Sequence, residues 1–304
     1  MKAIRYLSFL TAFLTYLLIV LGGIVRITGS GMGCGDHWPL CNGHMFPPLD
    51  DIATVIEWGH RMVVVLLTVM IATVAGLAYA KRNEAGVAGP GGPLRPLVLS
   101  LGLLVVQSLL GAITVWMELP PTTIILHFGT AMGMLAALLV AGLRAGIQAP
   151  LNVNEKTARA GWVALWISAA TLLLGALTAN LGAAGACIGF PLCNGRIWPA
   201  DPEGGLAVIH WVHRLFGYGL TLHLVGMVMA YRKRGESRAV QLAAWWSLGV
   251  TLTQVAVAAA MVLTFLQPTW RAWHMAAGTA VWVALVILVW LVRRGGDAEE
   301  AIAG

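Results

Sequence analysis

Four histidines stand at matching positions in the two halves of the sequence. An offset of 153 residues aligns WGHRMV with WVHRLF and places His60 on His213. An offset of 147 aligns LHFGTAMG with WHMAAGTA and places His127 on His274. Two imidazoles that face each other across a helical bundle are natural axial ligands of a haem iron, whereas a zinc site needs three or four ligands at closer spacing. The four histidines therefore predict two haem sites, although a single histidine near a membrane interface is most often a packing residue.

The residue three positions before the first histidine of each pair differs between the halves. Glu57 precedes His60, and the offset of 153 places His210 before His213. Residues at i and i+3 share a helix face, so the first half offers a carboxylate beside its haem and the second half offers an imidazole. A carboxylate in this place can act as a general acid or base. The alternative is an interfacial glutamate that extends to water.

Three arginines lie close to these histidines. Arg61 follows His60 directly, Arg214 holds the equivalent place in the second half, and Arg271 lies one turn before His274. Guanidinium groups pair well with carboxylates, so we expect the three arginines to bind haem propionates. The alternative is that they anchor the chain to lipid headgroups.

All four cysteines fall in two loops that share the pentapeptide PLCNG. Cys34 and Cys41 lie in the first loop, and Cys187 and Cys193 lie in the second. The outer side of a bacterial membrane is oxidising, so each pair is expected to form a disulfide, Cys34–Cys41 and Cys187–Cys193. The spacings match neither a zinc knuckle nor a C-x-x-C redox motif. The simplest function of such disulfides is to hold the loops in shape.

The elements that must position these residues are membrane helices. Of the 304 residues, 59% are hydrophobic and 11% are charged, and a typical soluble domain has about 25% charged residues. Because a membrane-spanning helix needs roughly 20 apolar residues, the sequence predicts an all-α membrane protein. The eight predicted helices are 6–26, 53–80, 96–117, 121–143, 160–180, 206–231, 239–265 and 271–292.

Lysine and arginine collect at one end of these helices. Of the 19 basic residues, 14 lie on one face, including Arg294 near the C-terminus. Cytoplasmic loops carry such an excess, so both termini are predicted to be cytoplasmic and the loops 27–52 and 181–205 to lie outside a bacterial or archaeal cell membrane. The net charge of +6 reflects this asymmetry and the acidic lipid bilayer it faces, and gives no indication of nucleic acid binding. The outer loops carry Asp36, Asp50, Asp51, Asp201 and Glu203.

The matching motifs indicate an internal repeat. Because each repeat holds an even number of helices, the sequence predicts two tandem parallel four-helix bundles. We assign the first bundle to residues 1–143, a cytoplasmic linker to 144–159 and the second bundle to 160–304. The four paired histidines then lie near the outer ends of the second, fourth, sixth and eighth helices.

In this order along the chain, the motifs GCGDHWPLCNG, EWGHR, LHFGT, CIGFPLCNG, HWVHR and WHMAAGTA resemble those of the haem A synthase family. Members of that family oxidise a ring methyl of haem O to the formyl group of haem A through a hydroxymethyl intermediate, with water as the suggested oxygen source. The resemblance implies that His60 and His127 bracket haem O, with Glu57 as the catalytic carboxylate. It also implies that His213 and His274 ligate a permanent haem b.

The resemblance implies further participants in the reaction. Cys34 and Cys41 would take part in electron or substrate handling, and haem b would pass electrons to an acceptor that the sequence does not identify. A haem O synthase, which is a prenyl-transferase, is an expected partner. Small residues such as Gly22 and Gly111 permit close helix packing inside or between protomers, which leaves a homo-oligomer open.

Three other functions compete with this interpretation. A di-haem cytochrome that only transfers electrons would use the same histidine pairs, but one built to cross the membrane would place haems near both faces. A quinone-linked generator of disulfides would need a reactive cysteine pair and no buried histidines. A transporter built from repeats would place polar groups near the midplane of the membrane.

Overall fold

The computed structural model describes residues 1–146, 153–199 and 205–293. The described residues form eight long α-helices, joined by turns, and contain no β-strand. The prediction of an all-α protein is confirmed. The helices are α1 (Lys2–Ile27), α2 (Ile52–Ala80), α3 (Leu94–Trp116), α4 (Pro121–Arg144), α5 (Glu155–Asn180), α6 (Leu206–Lys233), α7 (Arg238–Leu263) and α8 (Pro268–Val292).

The largest difference from the predicted helix bounds is at α5, which begins at Glu155 rather than at residue 160. The Asn154 side chain accepts a hydrogen bond from the Lys156 N–H at 2.9 Å and so caps the helix inside the predicted linker 144–159. Residues 147–152 of that linker lie outside the described residues. Three charged residues used to predict the topology also lie outside them: Asp201, Glu203 and Arg294.

Seven of the eight described helices are long and apolar enough to cross a membrane, which makes the chain a multi-pass membrane protein. The exception is α6. With 28 residues it is about 42 Å long at ~1.5 Å per residue, which exceeds the ~30 Å hydrocarbon core of a bilayer. Its composition is the reason for the difference, because it carries His210, His213, Arg214 and His223. The described helix with the most histidines is therefore the one that is not apolar enough to count as a candidate span.

The chain divides into two compact units, which we call unit 1 (Met1–Gln148) and unit 2 (Ala149–Gly304). Within unit 1 each of α1, α2, α3 and α4 packs against two of the others, so the four helices form a closed ring. Within unit 2 the helices α5, α6, α7 and α8 pack in the same cyclic order. The parallel relation of the two units and the cytoplasmic position of the termini stay predictions.

The tightly packed core of each unit lies away from the paired histidines. In α8 every buried residue follows His274, and in α4 every buried residue except Thr123 follows His127. The core of unit 2 includes Leu224 and Leu285, which are fully buried. The paired histidines are themselves only half-buried. In α4 and α8 the histidines therefore lie toward the less densely packed end of the helix.

Candidate functional site

A loop closed by a disulfide lies next to the histidine end of the second helix in each unit. The structure contains both expected disulfides, Cys34–Cys41 and Cys187–Cys193. The loops 28–51 and 181–205 are called loop 1 and loop 2 below. In loop 1 the Asn42 N–H donates to the Cys34 carbonyl at 3.0 Å. Each disulfide therefore closes a short ring of residues just before a helix that carries one of the paired histidines.

Glu57 lies at the contact between α2 and loop 1. It is only 4% exposed, although it is a carboxylate. Its Oε2 accepts a hydrogen bond from the Cys34 backbone N–H at 2.8 Å, and its Oε1 forms an ion pair with Arg61. Both partners stabilise the negatively charged carboxylate. The acidic group that the sequence singled out is therefore buried and bonded directly to the disulfide loop.

Arg61 joins the same network from the next turn of α2. Its guanidinium donates to the backbone carbonyl of His37 at 2.7 Å and to that of Leu40. The arginine thus connects Glu57 to loop 1 and is largely buried, with 12% of its side chain exposed. These protein partners were not foreseen from the sequence, where Arg61 was assigned to a haem propionate. That assignment stays a prediction.

Among the residues that the structure describes, the equivalent network in unit 2 contains no carboxylate. His210 is 4% exposed, and its Nε2 accepts a hydrogen bond from Arg214 Nε at 3.2 Å. The Arg214 guanidinium also donates to the loop 2 carbonyls of Cys187 at 2.7 Å, Gly189 at 2.8 Å and Leu192 at 3.0 Å. An arginine holds the loop in both units, and its buried partner is the acidic Glu57 in unit 1 and His210 in unit 2.

His213 and His274 face each other in unit 2. Their ring centres are 6.3 Å apart and their planes lie at 81°. A metal–imidazole bond is about 2.0 Å long and a ring nitrogen lies about 1.1 Å from the ring centre, so two imidazoles on opposite sides of one metal ion have centres about 6.2 Å apart. The observed separation therefore fits one iron between the two histidines.

Further contacts orient the His213 ring for binding a metal ion. Its Nδ1 lies 3.0 Å from the backbone carbonyl of Thr171 on α5, so Nδ1 carries the proton and Nε2 keeps its lone pair for a metal. The ring packs against Gly175, where a Cβ atom would lie 2.9 Å from the imidazole Cε1. A side chain at position 175 would therefore displace the ring. The residues present fit a haem held by two histidines.

The paired histidines of unit 1 have fewer supporting contacts. An electrostatic interaction between His60 and His127 shows that they are neighbours. His60 packs over Gly22 and His127 over Gly111, at 3.4 Å and 3.6 Å from the positions of the absent Cβ atoms. In the described part of the chain neither Nδ1 has a hydrogen-bond partner, although both atoms are buried. Unit 1 therefore presents two imidazoles with unused polar atoms.

His223, His37 and Arg271 lie in three different surroundings. The Nε2 of His223 lies 2.9 Å from the Ala160 carbonyl, which makes it a packing residue between α6 and α5. His37 lies in loop 1, 3.4 Å from Asp36. Arg271 is half-buried at the start of α8, and no side-chain hydrogen bond of Arg271 is seen among the described residues.

Comparison with known proteins relates these features to a family. Residues 5–288 match the family described as cytochrome oxidase assembly protein. A protein named heme A synthase from Symbiobacterium thermophilum is 31% identical over 317 residues, and the alignment covers 100% of both chains. The chain belongs to the haem A synthase family.

Other family members give the same result. The heme A synthase of Alkalihalophilus pseudofirmus is 33% identical over 233 residues, which cover 74% of this chain and 75% of that protein. The heme A synthase of Shouchella clausii is 28% identical over 303 residues, covering 96% and 98% of the two chains. The assignment of the chain to this family from its motifs is therefore confirmed.

Proposed function

We propose that the chain is a haem A synthase, an oxidoreductase that converts a ring methyl of haem O into the formyl group of haem A through a hydroxymethyl intermediate. Family membership supports this activity. The observation that carries the proposal is the buried pair of Glu57 and Arg61 beside the histidines of unit 1. Unit 2 has His210 and Arg214 there instead. Unit 1 is thus the catalytic unit.

Haem O, the substrate, binds between His60 and His127. Each ring lies against a glycine of a neighbouring helix, and each is half-buried at the loosely filled end of the unit. Arg61 lies one residue beyond His60 and is assigned to a substrate propionate by its charge. The apolar prenyl tail of haem O explains why the site is in a membrane protein, since the tail can enter between helices.

The reaction needs a base and a place for positive charge. Converting the methyl group to hydroxymethyl with one water releases two protons and two electrons, and oxidising that group to formyl releases two more of each. Glu57 accepts a proton from the attacking water and stabilises positive charge on the reacting carbon. Its ion pair with Arg61 and its bond from the Cys34 N–H hold the carboxyl group in place. The electrons leave for an acceptor outside the chain.

In unit 2, His213 and His274 are the residues that would hold haem b, which when bound supplies one-electron transfer between the substrate and that acceptor. The separation of the two rings and the bond from His213 to the Thr171 carbonyl support this assignment. Arg214 and Arg271 are assigned to its propionates. Of the two, Arg271 fits this better, because the guanidinium of Arg214 already donates to three loop carbonyls.

The cysteines of loop 1 have a position that suits a function in the same reaction. Cys34 donates its backbone N–H to Glu57, and its disulfide with Cys41 fixes that N–H relative to the loop. Opening the disulfide would change the position of the donor and so the position of the carboxylate. Cys34 and Cys41 are therefore assigned to substrate or electron handling through Glu57.

The cellular setting follows from the same proposal. The chain lies in a bacterial or archaeal cell membrane with loop 1 and loop 2 on the outer side, where disulfides persist. A haem O synthase supplies the substrate, and the protein has the small-residue helix surfaces from which a homo-oligomer can form.

The experiment that tests the function is extraction and identification of haems from membranes that produce haem O. The wild-type protein should contain haem A or its hydroxymethyl precursor. Glu57→Ala should lower product by about 100-fold or more, as expected for loss of a general base, while haem b remains. His210→Ala is the matched control and should leave much more product than Glu57→Ala. If wild type and Glu57→Ala contain only the same unmodified haems, the protein is a bis-histidine di-haem cytochrome that transfers electrons.

A further inference from the structure

We propose that Gln254 is a positioning residue that keeps His274 bound to haem b, and that unit 1 lacks the equivalent contact so that haem O can enter and haem A can leave. This inference rests on the proposed function, because it takes unit 2 as the cofactor site and unit 1 as the substrate site. It assigns a function to a pair of glutamines, Gln107 and Gln254, that the alignment of the two halves matches but that the reaction itself does not use.

Gln254 on α7 contacts the imidazole of His274 on α8. Its carboxamide nitrogen lies 3.0 Å from Nδ1 of the ring. The carboxamide oxygen is buried and has no hydrogen-bond partner among the residues that the structure describes. The two ends of a carboxamide have the same shape, so a half-turn brings that oxygen to Nδ1. It then accepts the Nδ1–H bond, which is the shorter of the two contacts, since the same end of the carboxamide lies 3.4 Å from Nε2. With Nδ1 carrying the proton, Nε2 keeps the lone pair that binds iron.

The neighbouring residues of α8 make room for this contact. A Cβ atom at Gly278 would lie 3.2 Å from the carboxamide nitrogen of Gln254, closer than side chains usually approach. The preceding residue is Ala277, which has no hydroxyl to compete for the amide. The local sequence of α8 therefore directs Gln254 toward His274.

Unit 1 has the opposite arrangement. At the offset of 147, Thr130 and Ala131 replace Ala277 and Gly278. The Thr130 hydroxyl donates to Oε1 of Gln107 at 2.8 Å. The glutamine is thus bound by the threonine, and His127 Nδ1 is left buried with no partner in the described part of the chain. One added hydroxyl and two added methyl groups separate the two outcomes.

The other histidine of each pair shows the same difference. His213 Nδ1 lies 3.0 Å from the Thr171 carbonyl, whereas His60 Nδ1 has no hydrogen-bond partner among the described residues. Both histidines of unit 2 are therefore supported through Nδ1, whereas no hydrogen bond to Nδ1 of His60 or His127 is seen among the described residues. The ring of His127 does interact with the backbone of Gln107, but this contact does not give Nδ1 a hydrogen-bond partner. Because the two observations involve different helices, they are independent.

Metal-binding histidines in general are affected by a hydrogen bond at the ring nitrogen that does not bind the metal. A hydrogen bond at Nδ1 fixes the tautomer and orientation of the ring and makes the other nitrogen a stronger ligand, and its loss typically lowers metal affinity about 10-fold to 100-fold. A cofactor must stay bound through many turnovers, whereas a substrate must exchange in each one. The hydrogen-bonded histidines of unit 2 therefore suit a cofactor that stays bound, and the histidines of unit 1 suit a substrate that exchanges.

The first test uses the full-length protein purified with its haem b. Gln254→Leu removes the acceptor at nearly constant size, and Gln107→Leu is the matched control in unit 1. We expect haem b to transfer to excess apomyoglobin about 10-fold faster in Gln254→Leu than in wild type. Gln107→Leu should leave that rate unchanged. The haem b midpoint potential should rise in Gln254→Leu, because the weaker ligand stabilises ferric iron less.

A second variant separates a hydrogen-bonding function from simple packing. Gln254→Glu retains the size and provides an acceptor at both ends, so it should keep haem b at the wild-type dissociation rate and lower the midpoint potential. A side chain that only fills space would give no such shift. Equal dissociation rates and equal potentials in Gln254→Leu, Gln254→Glu and wild type would overturn the proposal.

The third test introduces the contact into unit 1. The double variant Thr130→Ala/Ala131→Gly frees Gln107 to reach His127, and we expect the haem of the substrate site to dissociate about 10-fold more slowly than in wild type. An unchanged rate overturns the part of the proposal that concerns unit 1. In all three tests, wild-type protein that makes haem A and holds haem b shows that the proposed function stands. Wild-type protein without haem b contradicts the proposed function itself.

Discussion

An arginine binds the disulfide loop in both units, but the buried partner of that arginine is a carboxylate in unit 1 and an imidazole in unit 2. In unit 1 Arg61 connects loop 1 to the Glu57 carboxylate, and in unit 2 Arg214 connects loop 2 to the His210 imidazole. In both units, therefore, an arginine one helical turn after a buried polar residue binds the loop to the histidine end of the unit. The buried residue beneath it decides whether that end carries a carboxylate or an imidazole.

The two units differ at positions near their paired histidines where buried polar groups make contacts. Changing the residue at one position replaces a carboxylate by an imidazole without moving the loop or the arginine. The residues three and four positions after the last paired histidine of each unit also differ, and the neighbouring glutamine contacts Thr130 in unit 1 and His274 in unit 2. Few substitutions are needed, because each acts on a buried polar group whose alternatives are limited.

The largest expected effect tests which unit holds the cofactor. His213→Ala should remove haem b from the purified protein and with it all haem A formation, since one axial ligand and its support from Thr171 are lost. His60→Ala should abolish haem A formation while haem b is retained. Absorption spectra of the purified variants, with haem extraction, measure both. Loss of haem b from both variants to the same extent would contradict the division of functions.

The next effect concerns the stability of the two loop networks. Arg61→Leu leaves the Glu57 carboxylate buried without its cation, and removal of one partner of a buried ion pair costs about 3 kcal/mol. Arg214→Leu leaves a neutral imidazole and backbone carbonyls, for which we expect about 1–2 kcal/mol. Thermal unfolding in detergent compares the variants.

The control for that comparison is the double variant Glu57→Gln/Arg61→Leu. Because it removes both charges, it should recover part of the stability that Arg61→Leu loses. If Arg61→Leu and Arg214→Leu cost the same and the double variant recovers nothing, the buried ion pair does not distinguish the two units.

The disulfides should have nearly equal effects on stability and unequal effects on activity. Their sequence separations are 7 and 6 residues, so loss of either bond is expected to cost about 2 kcal/mol through the greater entropy of the unfolded chain. Cys34→Ser/Cys41→Ser should also lower haem A formation, because Cys34 donates to Glu57. Cys187→Ser/Cys193→Ser is the matched control. Equal activity in both double variants would remove Cys34 and Cys41 from the reaction.

The smallest expected effect is at the helix starts. The Asp51 side chain accepts the Thr54 N–H at 2.8 Å and caps α2, whereas α6 begins at Gly205 without a side-chain cap. The bond from the Thr54 backbone holds the pKa of Asp51 below its ordinary value of 3.8. The cap therefore stabilises the protein above that pH, and the stabilisation is lost as the pH falls through the lowered pKa.

Asp51→Ala measures this contribution. The variant should unfold at a slightly lower temperature than wild type at neutral pH, and the difference should shrink on acidification below the ordinary pKa of the carboxyl group. Thermal unfolding at a series of pH values checks it. A difference between the two proteins that does not depend on pH would show that the carboxylate charge is not involved.

The sequence by itself determined the helices and the disulfide pairs, and it singled out the paired histidines. Apolar runs fix the helices, because a bilayer requires every backbone polar group to be bonded within a helix. The bounds of α2 and α4 match the predicted ones to within one residue at each end. The matching of His60 with His213 and of His127 with His274 also followed from the sequence alone, since duplicated motifs keep their order and spacing.

Only the tertiary structure decided which partners those residues have. The sequence placed Arg61 next to His60 but gave no means to find its bonds to the carbonyls of loop 1, because backbone carbonyls are present at every residue and their direction depends on the folded loop. The spacing of Glu57 and Arg61 at i and i+4 was the available signal for their ion pair.

The two glutamines show most clearly that the sequence alone does not reveal the partners of a residue. Gln107 and Gln254 are identical in the sequence and occupy matched positions, yet Gln107 is bound to Thr130 and Gln254 contacts His274. A hydrogen bond forms only where distance and angle are both favourable. The distances are set by packing between α3 and α4 and between α7 and α8, to which residues far apart in the chain contribute. The chain therefore encodes the ligands locally, and the contacts that distinguish the two sites arise only on folding.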